Sequence, residues 1–412
     1  MISNIKRILK KNPFIKKTII EAKSIVTFDP NISEITPFNM RKIDSEEKRI
    51  NILVPSINQE HLFGGISTAL KFYEQVADFY GYKRRIITTD ASPSNDDLKH
   101  FKNYTLIKCN DDDFRDNQIV PFNDRYNKSI PVSKNDIFIS TAWWTAYATH
   151  QIIKWQSDAY NQDIKKSIYF IQDFEPGFYQ WSSRYALADS TYKSELPQIA
   201  VFNSKLLYEY FKSKSYKFDE EYFFEPTLND SLKKYLLNNE IKIKEKKILI
   251  YGRPSVHRNA FEVIVEALKL WVWKQEDIIE WEIYSIGEKH PDIELGNGAK
   301  LKSLGKLTID GYAQLMSKSY CGISLMISPH PSYPPLEMST FGMKVITNSY
   351  ENKELSGFNE NILSIDVITP ENISNFINYV CTDYKNDNFK LYKKHYYMNN
   401  VNQFKFISDI MI

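Results

Sequence analysis

From Arg49 onward, short apolar runs alternate with helix-length amphipathic stretches. Asn51–Pro55 (NILVP), Arg85–Thr89 (RIITT), Thr105–Cys109 (TLIKC) and Ile137–Ser140 (IFIS) read as strands, as do Tyr169–Asp173 (YFIQD) and Ile199–Asn203 (IAVFN). A helix is expected from Ile66 to about Tyr80. The strand runs are β-branched and aromatic without strict alternation, the pattern of strands buried on both faces of a parallel sheet. A polar stretch, NDSLKKYLLNNEIKIKEKK, then breaks the rhythm. A second series follows, with strands at Lys247–Arg253, Trp281–Gly287, Lys300–Gly305, Gly322–Ser328 and Lys344–Asn348. Its helices are expected from Asn259, over Ile309–Ser319, and from Leu336.

Two successive β/α series joined by a charged segment imply an α/β chain of two doubly wound, Rossmann-like domains facing across a cleft. The expected division is a basic amphipathic extension (1–47), a first domain (48–228), a linker (229–246), a second domain (247–385) and a C-terminal segment crossing back to the first (386–412). In each domain the ligand crevice should lie at the carboxyl ends of the strands. In the extension, Lys6, Arg7, Lys10, Lys11, Lys16, Lys17 and Lys23 face a single acid, Glu21. It lacks the apolar core and cleavage site of a signal peptide. Two readings stand: an amphipathic segment packed on the body, or a peripheral anchor to anionic lipid through residues 1–23.

Composition narrows the class. A chain of 412 residues, 42% hydrophobic and 14% aromatic, has material for two or three cored domains. Lys+Arg 53 against Asp+Glu 51 leaves a net charge of +2, which argues against a dedicated nucleic-acid partner. No apolar run approaches the ~20 residues of a membrane span. Cys109, Cys321 and Cys381 stand too far apart for a zinc or disulfide framework. A cytoplasmic enzyme, peripheral at the inner face of the plasma membrane if the extension binds lipid, is the expectation.

Five segments carry candidate chemistry. In NQEHLFGGIST, Gly64 and Gly65 sit between a strand and a helix, either to let backbone N–H groups approach an anion or to make a tight turn. Gly65-Ile66-Ser67 is not a nucleophile elbow, because Ala69 stands where its last glycine belongs. Asp111, Asp112 and Asp113 fall in a polar turn, and the seven histidines show no ligand spacing, so no metal is expected. FIQDFEPGFYQW ends a buried strand with Gln172, Asp173 and Glu175, which either bind sugar hydroxyls or cap a turn. In YGRPSVHRN, Arg253 and Arg258 flank a short loop before a helix, placed to clamp a diphosphate unless they are plain surface arginines. In SPHPSYPPLEMSTFGMKVITN, Glu337 is expected in the first turn of a helix starting at Leu336, to accept ribose hydroxyls or to cap. Exposed aromatics such as Trp143, Trp144 and Trp181 are either sugar platforms or core.

Together these residues resemble the GT-B glycosyltransferases of the retaining family 4 type. The resemblance rests on Gly252-Arg253 with Arg258-Asn259, on Leu304-Gly305-Lys306-Leu307, and on Pro334-Pro335-Leu336-Glu337 followed by Gly342 to Ile346. YGRPSVHRNAFE and QDFEPGFY look more narrowly like the rhamnosyltransferases of bacterial surface-layer glycans, which use dTDP-L-rhamnose. By resemblance, Arg253 and Arg258 hold the donor pyrophosphate, Glu337 the ribose and the backbone near Lys306 and Leu307 the base. Tyr333, Pro334, Pro335 and Leu336 complete the donor site, and Gly64 and Gly65 match the glycine loop of the acceptor domain. The family's paired glutamate eight positions before Glu337 is Pro329 here, so a less polar pocket, using Tyr333, is expected to suit a 6-deoxy sugar. The family's acceptor-side histidine is replaced by Gln172-Asp173.

The implied reaction is metal-independent, cofactor-free transfer of L-rhamnose from dTDP-L-rhamnose to a glycan hydroxyl, on an acceptor that can be lipid-linked, with configuration retained. Another donor, an epimerase, or a non-catalytic nucleotide-sugar or glycan-binding protein are the alternatives.

Overall fold

The computed structural model describes residues 31–58, 64–239, 243–275, 280–385, 396–398 and 402–412. The chain divides into Met1–Pro37, in which the described residues carry one 3₁₀ turn at Ser33–Ile35, and Phe38–Ile412. The expected lipid anchor at residues 1–23 lies outside the described residues.

The first half of the body supplies β1 (Met40–Lys42), β2 (Arg49–Val54), β3 (Lys83–Thr88), β4 (Thr105–Leu106), β5 (Asn117–Pro121), β6 (Ile130–Val132), β7 (Asp136–Ser140), β8 (Ser167–Ile171), β9 (Gln198–Phe202) and β10 (Glu220–Phe223). β1 and β6 form a parallel pair, and the others form one sheet ordered β10-β9-β8-β7-β2-β3-β5-β4. Strands β2, β7, β8 and β9 are buried at every position, as their largely apolar runs require. Helix α1 (Gly65–Tyr80) packs Phe72, Val76 and Ala77 on Ile52, Ile86 and Phe170. Helix α2 (Trp143–Tyr160) sends Ile152 and Ile153 to Leu53, Ile87 and Phe138. β2 starts earlier than its apolar run because Arg49 is fully buried, its Nε and Nη2 each donating to the equally buried Asp136 carboxylate at 2.8 Å. TLIKC, expected to be a full strand, pairs only over its first two residues.

The second half forms β11 (Glu245–Gly252), β12 (Glu282–Gly287), β13 (Ile293–Gly296), β14 (Ala299–Gly305), β15 (Ser319–Ile323), β16 (Lys344–Asn348) and β17 (Ile362–Ile365). They are ordered β13-β14-β12-β11-β15-β16-β17, and only β13 and β14 pair antiparallel. Helix α3 (Phe261–Trp273) shares one core with Ile373, Ile377 and Val380 of the helix Pro370–Thr382. Helix α4 (Tyr333–Thr340) covers the opposite face. It comes close because Gly322 in β15 has no side chain; a Cβ there would lie 2.9 Å from Met338 Sδ. Asp230–Asn238, expected to be polar linker, is helical and buries Leu232 and Leu236 in this second core. Phe404, Ile407 and Ile410 lie in the core of the first half, with the Phe404 ring 5.3 Å from Phe72.

Two expectations shift here. GISLMIS was expected to be strand throughout, but β15 ends at Ile323, and Ser324–Ser332 runs on as a loop along the cleft. Asn348 pulls it from the sheet, its side-chain oxygen accepting the Met326 N–H at 2.6 Å. Helix α4 starts at Tyr333 rather than Leu336, because Pro334 and Pro335 suit the first turn of a helix. Glu337 therefore stands in the second turn, not the first.

Candidate functional site

The two sheets present strand ends to one another, and three loops meet there: the one after β8, the one after β11 and the one between β15 and α4. Asp173, two residues past β8, is the point of contact. Its carboxylate accepts from the Arg258 guanidinium and from the Ser328 hydroxyl, both in the second half. Arg258 also lies over the Phe178 ring, 3.9 Å from its centroid. The second-half loops are tied together: Ile327 N–H donates to the Arg258 carbonyl at 2.8 Å, and the Asn259 amide to the Leu325 carbonyl at 3.0 Å. Beside the bridge is a cavity of about 230 Å³, walled by Phe174 and Gly177 on one side and His257, Arg258, Ile327 and Ser328 among others on the opposite side.

Burial sets the protonation of the groups around it. Glu175 is 3% exposed and accepts the Trp143 N–H at the start of α2. Loss of solvent pushes its pKa to about 8, with the nearby Asp173 charge adding to the rise and the Trp143 N–H opposing it. Lys353 is fully buried, donates to the Met326 carbonyl, and is lowered to about 7 by the same loss of solvent. His330 is lowered to about 4 by burial.

The donor-side candidates occupy a second stretch of the cleft. Arg253 is exposed at the end of β11, its stem crossing the bare Cα of Gly287. The Tyr251 phenol bonds to Arg253 and feels the charge of Glu337, which brings α4 near the end of β11. Burial raises Glu337 to about 7, eased back by the neighbouring Tyr312 phenol. Tyr333 is raised to about 12 by burial, against the Thr68 hydroxyl of α1, so α4 and α1 face one another here. Lys306 is exposed just beyond β14, while Leu307 packs into the second core. Pro334, Pro335 and Leu336 are buried. Of the first four positions of α4, the two prolines carry no N–H, leaving Tyr333 and Leu336 as the backbone donors.

Gly64 and Gly65 meet Gln172. Gly64 has φ +67°, the left-handed turn that begins α1, and a Cβ on Gly65 would lie 1.5 Å from Gln172 Oε1. The Gln172 amide donates to the Thr141 carbonyl at 3.0 Å, so its side chain is held against the glycine. The structure thus gathers Asp173 with Arg258, and Gly65 with Gln172. It leaves Arg253, Lys306 and Glu337 outside the walls of the cavity beside the bridge. Asp112 and Asp113 pair with Arg41 and Arg115, as a surface turn does. Trp143 is fully buried, whereas Trp181 is 94% exposed and lies flat on Tyr185 with ring centroids 5.8 Å apart.

Sequence reasoning passed over Ser328, His330 and Lys353. The first two sit inside the SPHPSYPP string, where proline spacing drew the attention. Lys353 sits in a polar run that reads as solvated.

The WsaF N-terminal domain model matches residues 49–205 and the WsaF C-terminal domain model residues 246–378, together well over half of the chain and one on each sheet. The chain belongs to the WsaF family. Among curated proteins, the O-antigen biosynthesis protein RfbC of Myxococcus xanthus is 29% identical over 229 residues. That match covers 55% of this chain but only 17% of RfbC. Among solved structures, S. aureus TarM in complex with fondaparinux, α-GlcNAc-glycerol and UDP superposes with a TM-score of 0.54 at 9% identity, over 82% of this chain and 93% of TarM. Sucrose-phosphate synthase from Thermosynechococcus elongatus gives 0.51 at 11%, over 82% and 91%. At such identities the likeness establishes the fold, and it is GT-B, as the motif resemblance implied. Among the described residues, no helix is long and apolar enough to cross a membrane.

Proposed function

We propose that this WsaF-family chain is a retaining glycosyltransferase that moves L-rhamnose from dTDP-L-rhamnose to a glycan hydroxyl during assembly of a bacterial surface polysaccharide or glycoprotein glycan. The observation that carries the reading is the cleft itself: strand ends of two WsaF-type Rossmann sheets, with Arg258 on the second facing the Asp173 carboxylate on the first. Arg253, exposed just past β11, is suited to a diphosphate. Arg258 now serves Asp173, so a diphosphate reaching it competes with that carboxylate. Exchange of partners would neutralise the leaving group and free Asp173 to orient the acceptor hydroxyl. Departure of the diphosphate on the face where the acceptor enters keeps the anomeric configuration, with a phosphate oxygen taking the acceptor proton. Stabilisation of this kind is worth roughly 3–4 kcal/mol per donor removed. Glu337 and the backbone near Lys306 would hold the nucleoside, Tyr333 with the helix start Pro334–Leu336 the sugar, and the exposed Trp181 face an acceptor ring.

A thermal-shift series with dTDP, UDP, GDP and ADP, without metal and then with Mg²⁺, tests the donor. A selective, metal-independent rise with dTDP is the expected result, since a ligand of the native state stabilises by mass action. A rise with another base alone would redirect the donor, and none with any nucleotide would sink the reading.

A further inference from the structure

The loop between β15 and α4 holds an imidazole whose hydrogen bonding is half complete. His330 Nδ1 accepts the Ser332 N–H at 3.0 Å, which assigns the ring proton of the neutral imidazole to Nε2. That N–H is a donor, and among the described residues it has no partner although the side chain is only 7% exposed. An orphaned buried donor costs on the order of 1–3 kcal/mol. The loop carries a second cost: Ser332 holds φ +68°, in the region that non-glycine residues avoid. Both lie in the loop that carries the cavity-lining Ile327 and Ser328. Ser328, which lines the cavity and donates to Asp173, also accepts the His330 backbone N–H at 3.0 Å, so the backbone that carries the ring is tied to the bridge between the halves. Its ring centroid is 5.7 Å from that of Tyr333.

We infer that the His330 Nε2–H donates to a hydroxyl of the sugar being transferred, making it a specificity-determining residue; this rests on the nucleotide-sugar reading given above. The chemistry favours a hydroxyl over the diphosphate. Arg253 and Arg258 already offer full positive charges to an anion, whereas His330, kept neutral by its burial, matches an uncharged oxygen. The Ser332 N–H, held by the strained turn, occupies Nδ1 and fixes the tautomer, as a preorganised donor requires.

Two substitutions separate the donor from the architecture. In His330→Asn the side-chain oxygen takes the place of Nδ1, so the Ser332 contact survives while the distal donor is lost. In His330→Gln the amide reaches the distal position and keeps the donor. Calorimetric titration of each with dTDP and with dTDP-L-rhamnose should leave the dTDP affinity unchanged. The advantage of the sugar nucleotide over dTDP should fall roughly ten- to hundredfold in His330→Asn and largely return in His330→Gln. An undiminished advantage in His330→Asn would overturn the inference, as would a parallel loss of both affinities, which marks a purely structural ring. If the wild type binds dTDP and dTDP-L-rhamnose equally, the sugar has no hydroxyl contact and the inference fails while the nucleotide site stands. If it binds neither, the donor reading itself has failed, and the inference with it.

Discussion

At the scale of single residues, the cleft divides into side chains with structural partners and side chains without. Arg253 is exposed, and among the described side chains that sense it only the Tyr251 phenol bonds to it, so Arg253→Ala should keep most of its stability and lose roughly two to three orders of magnitude in turnover. Wild-type rates would remove it from the site. Glu175 tests the electrostatics. Its folded-state pKa, about 8, lies above the ordinary carboxyl value of 4.5. The folded chain therefore keeps this proton where the unfolded chain releases it. The contribution is full below about pH 4.5 and is lost as pH rises through 8. Glu175→Gln keeps an acceptor for Trp143 N–H without a charge to bury. The melting temperature of the wild type, measured against that of the variant, should fall by a few degrees between pH 5 and 8.5. A constant difference across that range would mean Glu175 is ionised throughout. Residue types at strand ends were legible from sequence, but what each one touches was not. Arg258 reads as a phosphate ligand until the fold puts Asp173 beside it, a partner 85 positions away.

At the scale of elements, the contact between Gly65 and Gln172 joins the start of α1 to the end of β8. Gly65→Ala would drive a methyl group into the Gln172 amide, and overpacking of this sort costs about 1–3 kcal/mol. Gln172→Ala in the same chain should restore most of the loss, and chemical denaturation of the two single variants and the double variant measures the coupling. Simple additivity would show that the clash is relieved by other means. Strand positions followed from the apolar runs because burial on both faces leaves few polar interruptions. The element ends followed less well. GISLMIS is apolar to its end, yet Asn348 captures the Met326 N–H and stops β15 at Ile323. α4 begins at Tyr333 because proline favours a first turn, and that moves Glu337 one turn inward. Both shifts depend on a partner or a backbone preference that hydrophobic periodicity does not record.

At the scale of the molecule, the chain leaves the first half after β10, builds the second, and returns to bury Phe404, Ile407 and Ile410 against α1. Phe404→Ala should cost about 3–5 kcal/mol, read as a lower denaturation midpoint. A change below about 1 kcal/mol would mean that the return is only superficial. Two β/α series were enough to expect two doubly wound domains across a cleft, since parallel strands need helical crossovers and a switch in strand order leaves a crevice, whereas GT-B followed from the motif resemblance. The bridge from Asp173 to Arg258 and Ser328 was out of reach, because it exists only once both sheets are in place. The central claim is transfer through this cleft, and the most direct measurement is product formation from dTDP-L-rhamnose and a rhamnosyl glycan acceptor in the presence of a chelator. Wild-type chain should release dTDP together with an elongated glycan of retained anomeric configuration, and Arg253→Ala should release almost none. Intact donor with every acceptor, or an inverted linkage in the product, would contradict the account.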